Sequence, residues 1–285
     1  MARFSHWQRF GSGLALGFCL VPLAGSLTLA AGDPTKPATY APGDVLLARL
    51  DARAAAFKRE IAAGDVESVV EGVTRLDAAV KAGDLEGARA AWIAARVGWE
   101  RSEIFTADLF PDLDKAIDTW PDATSGFHAV EVKLFGANPQ LPVAETHQLL
   151  DRVQRYQRVF NQLEFKGQYL IAGMATLAYE MGENKSKGGE SLASGTSLND
   201  LQHNIEGVDR GWHYLFADEV AAKNPTMAKR VDDEMAGLKA MLAVSSLDDL
   251  QPGAMEREAE QLAGSLADSA VVLGWKAPDF TEEGE

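Results

Sequence analysis

The sequence predicts an all-α protein, and three observations carry that prediction. Apolar residues recur every three to four positions through most of the chain, the period of a helix buried on one face. Alternating apolar and polar residues, the mark of a half-buried strand, are almost absent. Breakers punctuate the helical segments at Gly64-Asp65, Gly83-Asp84, Pro111, Pro121, Pro139, Pro142, Gly188-Gly189, Pro225 and Pro252-Gly253. A mature chain of roughly 250 residues exceeds what one bundle commonly uses. A two-lobed helical bundle over 44–277 is therefore expected, with lobes at roughly 44–165 and 166–277.

Residues 1–31 have the pattern of a secretory signal peptide. Arg3 and Arg9 supply the positive start, Gly13 to Leu23 the apolar run, and Leu29-Ala30-Ala31 the small residues for cleavage. The apolar run is short for a membrane span, so none is expected after cleavage. Cys19 leaves with this segment, and Phe18 before it is not the small residue of a lipidation site. Disulfides and thiolate metal ligation are thereby excluded. Residues 32–43, with Pro34, Pro37, Pro42 and Gly43, read as a flexible lead-in. Helices are predicted near 44–63, 65–82, 84–109, 126–136, 143–162, 167–183, 198–220, 226–243 and 253–273. Asp44, Asp65 and Asp84 each follow a glycine as capping residues. The acidic tail, 278–285, has little to bury.

The formal charge is −15, and loss of Arg3 and Arg9 takes it to about −17. Such a surface repels nucleic acid and anionic lipid and attracts cations.

The chemistry-bearing residues crowd into one stretch. His128 lies ten residues after Asp118 and 28 after Glu100. His128 and Glu131 are three apart and share a helix face, as do Glu100 and Glu103 on an earlier helix. Ile93, Val97, Glu100 and Ile104 form one stripe, which puts Glu100 on an apolar face. A carboxylate there needs an arginine, a proton or a metal, and Arg96 and Arg101 both stand within reach. Glu103 shares a second stripe with Trp92, Arg96 and Trp99, whose indoles either wall off water or pack between helices. Asp112 to Asp118 reads as loop-like behind Pro111, with Asp112 and Asp114 in the usual turn role of Asp. His147 reads as solvent-facing, and His203 and His213 diverge around one helix. An imidazole with carboxylates from separate helices suits a first-row transition metal. The candidate ligands are His128, Glu100, Asp118, Glu131 and Glu103, with Glu131 either coordinating or orienting the imidazole. Oxygen-rich ligation of this kind fits iron, zinc, manganese or copper(II).

These blocks resemble the imelysin-like family, which includes EfeO- and EfeM-type periplasmic iron-uptake members. Gly126-Phe127-His128-Ala129-Val130-Glu131 fits its Gly-x-His-x-x-Glu signature. Glu100-Arg101-Ser102-Glu103 fits its Glu-Arg-x-Glu helix, and Asp112 to Asp118 its Asp-Leu-Asp-x-x-Ile-Asp turn. A later block follows in Glu180 to Lys185, Thr196 to Asp200 and Asn204-Ile205-Glu206-Gly207. The likeness covers roughly Asp84 to Gly207. It implies that Asp118 is the aspartate nearest the site, that iron is the captured ion and that the protein works in the periplasm. It also implies an inner-membrane permease and other iron-uptake components as partners. Trp120 stands where the family has Arg, and Ala129 where a basic residue follows the histidine. Those losses of positive charge put an anionic second ligand in doubt.

Other functions fit the residues less well. A zinc peptidase needs His-Glu-x-x-His, and His128-Ala129-Val130-Glu131-Val132 lacks the second histidine. A ferritin-like oxidase needs two Glu-x-x-His motifs, whereas the order here is reversed and occurs once. An envelope polysaccharide-binding role would use Trp92, Trp99, Trp120 and Trp212 as stacking platforms, unless they belong to the core. A non-enzymatic metal binder is the expected function.

Overall fold

The computed structural model describes residues 45–107, 110–120, 122–183, 189–251 and 253–280. The signal-like segment, the lead-in and Asp44 lie outside them, as do residues 281–285 of the tail. Among the described residues every regular element is helical and there is no strand. The α-helices are α1 (Val45–Phe57), α2 (Ala63–Ala82), α3 (Leu85–Ser102), α4 (Pro111–Ile117), α5 (Gly126–Phe135), α6 (Val143–Gln162), α7 (Gly167–Glu183), α8 (Ser197–Leu215), α9 (Ala217–Lys223), α10 (Pro225–Met241) and α11 (Ala254–Leu273).

Several boundaries follow from local chemistry. Gly83 takes a left-handed φ of 79° to end α2, and Asp84 then accepts the Gly87 N–H to start α3. Asn224 caps α10 through the Met227 N–H, ahead of Pro225 in the first turn. Gly274, at φ 98°, ends α11.

Other boundaries depart from the sequence reading. No break occurs at Gly64-Asp65, because a π-turn over Lys58–Ala62 carries α1 directly into α2. Asp65 does not cap; its carboxylate accepts from Arg210 at 2.8 Å instead. The expected loop from Asp112 to Asp118 is mostly helix. Proline fits the first turn of α4, where no backbone donor is needed, and Asp112 and Asp114 complement the N-terminal dipole. The helix expected over 84–109 ends at Ser102 and tightens into a 3-10 turn, Glu103–Phe105. The one expected over 198–220 breaks at Phe216. At the C-terminus, Phe280 packs on Tyr179 with ring centroids 5.7 Å apart.

Helix α3 lies at the centre of the packing and touches α2, α5 and α8, while α2 also packs on α6. Helix α7 packs on α11 and α8, and α10 on α11. Trp92, Trp99, Phe105, Phe127, Tyr156 and Phe160 are all fully buried beside α3. Trp99 meets Tyr156 edge-on at 5.5 Å, and Phe105 meets Phe160 edge-on at 5.1 Å.

Two glycines set distances that matter for the site. Gly126 has φ 68°, and a Cβ there would stand 2.0 Å from the Ile117 carbonyl oxygen. The end of α4 and the start of α5 can therefore touch only through glycine. Gly207 lets α8 approach α3 equally closely, since a Cβ there would stand 2.5 Å from the Arg101 carbonyl oxygen.

Glycine substitutions at two positions should have opposite signs. Gly126→Ala combines a strained φ with a backbone collision and is expected to destabilise by about 2–4 kcal/mol. Gly64→Ala places its methyl in open space on a helix and should stabilise by about 0.5–1 kcal/mol. Urea unfolding midpoints of both variants, compared at a common m-value, measure this.

Candidate metal centre

The site is built outward from α3. Arg96, Glu100 and Glu103 follow one another at spacings of four and three, and all three are buried. The deeper face of α3 is the Trp92–Arg96–Trp99 stripe, whereas Ile93 and Val97 of the apolar stripe are only half-buried. Arg96 has no exposed surface, and its guanidinium lies 5.8 Å from the Trp92 ring and 5.4 Å from the Phe127 ring. Its Nη2 pairs closely with Glu100 Oε1, and its Nη1 donates to both Asp118 oxygens at 2.5 Å.

Asp118 arrives from the C-terminal end of α4, and the Trp99 indole N–H donates to it at 2.7 Å. The tight Gly126 turn then brings in α5. His128 Nε2 sits 3.1 Å from Asp118 Oδ1, and Nδ1 sits 2.8 Å from Glu131 Oε2. The other Glu131 oxygen accepts from the Ser194 N–H and hydroxyl, each at 2.8 Å.

A third group comes from the segment before α8 and from α8 itself. Glu190 Oε2 stands 3.9 Å from Arg96 Nη2, and Asp200 Oδ2 3.3 Å from the same nitrogen. The Ser191 hydroxyl donates to Asp200. One turn on, Asn204 Nδ2 lies 2.7 Å from Glu100 Oε2 and 2.6 Å from Glu103 Oε2, tying the two carboxylates together.

Burial makes these charges interdependent. Burial alone would raise the Asp118 carboxyl, but Arg96 and His128 outweigh it and hold Asp118 well below the usual carboxylate range. Burial alone would lower His128, yet Asp118 and Glu131 reverse the sign and push it up to about 9.

Among the described residues three sets of three donors have one ligand atom each within 4.8 Å of the others. Two of them meet here: Asp118, His128 and Glu190, and Glu100, Glu103 and Asp118. The third, Glu183, Glu256 and Glu260, lies on α7 and α11. Asp118 belongs to both sets at this centre. The structure thus brings together all five residues singled out from the sequence, with Glu131 behind the imidazole at Nδ1. Of the two arginines in reach of Glu100 it is Arg96 that pairs with it, while Arg101 pairs with Glu206; the structure adds Glu190, Asp200 and Asn204. Asp200 and Asn204 fall within the later block already noted, but only the fold shows that they face α3. Nothing in the sequence distinguishes Glu190 from other surface acids.

The remaining histidines lie elsewhere. His147 is exposed, His203 pairs with Glu206 at 2.9 Å, and His213 is exposed beside Asp209. Trp92, Trp99 and Trp212 are fully buried and spend their indole N–H groups on Phe127, Asp118 and Asp232. They offer no stacking platform for a sugar.

Comparison with known proteins identifies the family. The family model described as Peptidase M75, Imelysin, matches residues 54–273. The chain belongs to the imelysin family. It is 30% identical over 263 residues to the iron uptake system component EfeO of Escherichia coli strain K12, covering 85% of this chain and 68% of that one. The EfeO of Shigella flexneri matches to the same extent. Among solved structures, a chain from Parabacteroides distasonis described as an iron-regulated protein A precursor shares the fold. Its TM-score is 0.59 at 18% identity, over 86% of this imelysin chain and 95% of that one.

The titration of this imelysin site has a defined direction. A group whose pKa is raised on folding stabilises most below its unfolded value, and that contribution fades as pH climbs through the folded value. Chelator-treated protein should therefore keep the His128 contribution below pH 6.5 and lose it as pH rises through about 9. His128→Gln, which carries no titrating charge, should flatten that alkaline slope. Thermal melts of both proteins across this range check it; parallel slopes would contradict a raised His128.

Proposed function

We propose that this chain is an exported periplasmic carrier that captures iron for uptake. The observation that carries the reading is Asp118, a carboxylate whose side chain is only 5% exposed and which is shared by two sets of ligand-competent donors, one of them containing the only buried imidazole among the described residues. In the first set, Asp118, His128 and Glu190 would ligate, with Glu131 fixing the ring from Nδ1. In the second, Glu100 and Glu103 would join Asp118. Two unpartnered acceptors beside these donors, Asp200 Oδ1 and Asn204 Oδ1, fit a centre whose polar valences await a cation. Hard oxygen donors with one imidazole suit iron, with zinc, manganese and copper(II) as chemically permitted competitors.

The EfeO relatives are named as components of an iron uptake system, which supports iron uptake as the process; an inner-membrane permease and other uptake components are the partners this reading expects. No helix of the described residues is long and apolar enough to cross a membrane. A peptidase reading gains nothing from the geometry, because both Glu131 oxygens are already engaged by His128 and Ser194 rather than presented to a metal-bound water.

Calorimetric titration with ferrous iron under argon, and with zinc, should show one saturable site. His128→Ala and Asp118→Asn should each weaken binding by roughly tenfold or more. A hundredfold excess of metal over its dissociation constant should stabilise the folded protein by about 2.7 kcal/mol, and this gain should persist in high salt. A gain erased by salt and indifferent to Asp118→Asn would mean diffuse surface binding. The loaded protein should leave unstructured casein uncut.

A further inference from the structure

Arg96 occupies the oxygens that a captured ion would need. Asp118, common to both donor sets, accepts from Arg96 through both its oxygens, while Glu100 from one set and Glu190 from the other also face its Nη2. In each set, two of the three carboxylate or imidazole donors are already in contact with a cation that belongs to the protein. A guanidinium does not deprotonate in a protein, so it cannot yield its place as an imidazole can, by losing a proton. It also has nowhere to go: the side chain is wholly buried between the Trp92 and Phe127 rings.

The ion-pair cluster is nevertheless incomplete as a permanent structural one. Arg96 Nε and Asp200 Oδ1 are both buried without a hydrogen-bond partner. A buried charge cluster kept only for stability would be expected to satisfy its donors and acceptors fully. These atoms instead remain unsatisfied at the place where the ligand-competent carboxylates converge.

We propose that Arg96 is the internal counter-cation of this site: it holds the carboxylates together without metal and opposes the metal that takes them over, so that the ion is bound loosely enough to be handed on. The inference rests on the metal-carrier reading and assigns its release to one residue. Two roles of Arg96 then pull in opposite directions. Removing the guanidinium should loosen the metal-free protein, because Glu100, Asp118, Glu190 and Asp200 lose their common partner. The same removal should tighten metal binding, because no guanidinium then competes with the incoming ion for those oxygens. A residue that merely positions Asp118 for ligation would do the reverse to affinity.

The test compares wild-type full-length protein with Arg96→Met, which keeps the bulk and removes the charge. Zinc is the redox-inert probe, with ferrous iron under argon as a second, and affinity is read by competition with a chromogenic chelator at fixed pH. Arg96→Met is expected to bind at least tenfold tighter than wild type. It should melt below wild type in chelator and show the larger metal-induced rise in melting temperature. Equal or weaker binding by the variant, with wild type binding one equivalent, overturns the inference and leaves the carrier reading standing. Wild type that binds neither ion removes the carrier reading itself, and this inference with it. Should Arg96→Met be unfolded in chelator, recovery of its helical circular dichroism on one equivalent of zinc supports the proposal. Should it stay unfolded, Arg96→Lys decides. Its single ammonium cannot span Asp118 and Glu100 together, so at least threefold tighter binding is expected, and unchanged or weaker binding overturns the inference.

Discussion

A carboxylate taken out of water must find a positive partner or give up its charge, and the centre of this protein answers that constraint with one guanidinium. Arg96 touches carboxylates delivered by α3, by the end of α4, by the segment before α8 and by α8 itself. Each of those elements is held where it is partly by its own packing and partly by this common cation. Breaking one partner out of such a cluster typically costs about 3–5 kcal/mol, because the remaining charges are left buried and uncompensated. The polar centre and the aromatic layer around it are therefore one structural unit. Trp92 and Phe127 cover the guanidinium, Trp99 donates to Asp118, and the hydrocarbon surroundings strengthen every charge contact they enclose.

The backbone supplies the precision that long side chains would otherwise lack. Asp118 and His128 are ten residues apart, with a turn between them, and a glycine at 126 permits α5 to begin against the Ile117 carbonyl. Across the site, Gly207 lets α8 settle close enough to α3 for the short amide of Asn204 to clamp two glutamates. Ser191 and Ser194 brace Asp200 and Glu131 from one short segment, so two carboxylates on different helices share a single support.

Much of this was legible in the residues, for definable reasons. Helical periodicity and Asp84 after Gly83 are local signals, and local signals survive without knowledge of the fold. The spacing of His128 and Glu131 told which residues share a face. Glu100 on a partly apolar stripe announced a buried charge, and Arg96 was one of two arginines in reach of it. What stayed hidden depends on tertiary packing. Gly64-Asp65 looks like a stop, yet Asp65 finds Arg210 on a distant helix and the chain runs on. Asp112 and Asp114 look like turn residues, yet behind Pro111 they sit equally well in a first helical turn. Glu190 and Asp200 could not be placed against Arg96 from spacing alone, because long stretches of chain separate them from it.

That separation governs when the centre comes into being. Asn204 meets Glu100 across 104 positions, so the contact carries the closure entropy of a long loop. An emerging or unfolded chain owns the histidine, the glutamates and the aspartates, but it owns no site. An ion taken by this centre would therefore have to meet a chain that has already folded.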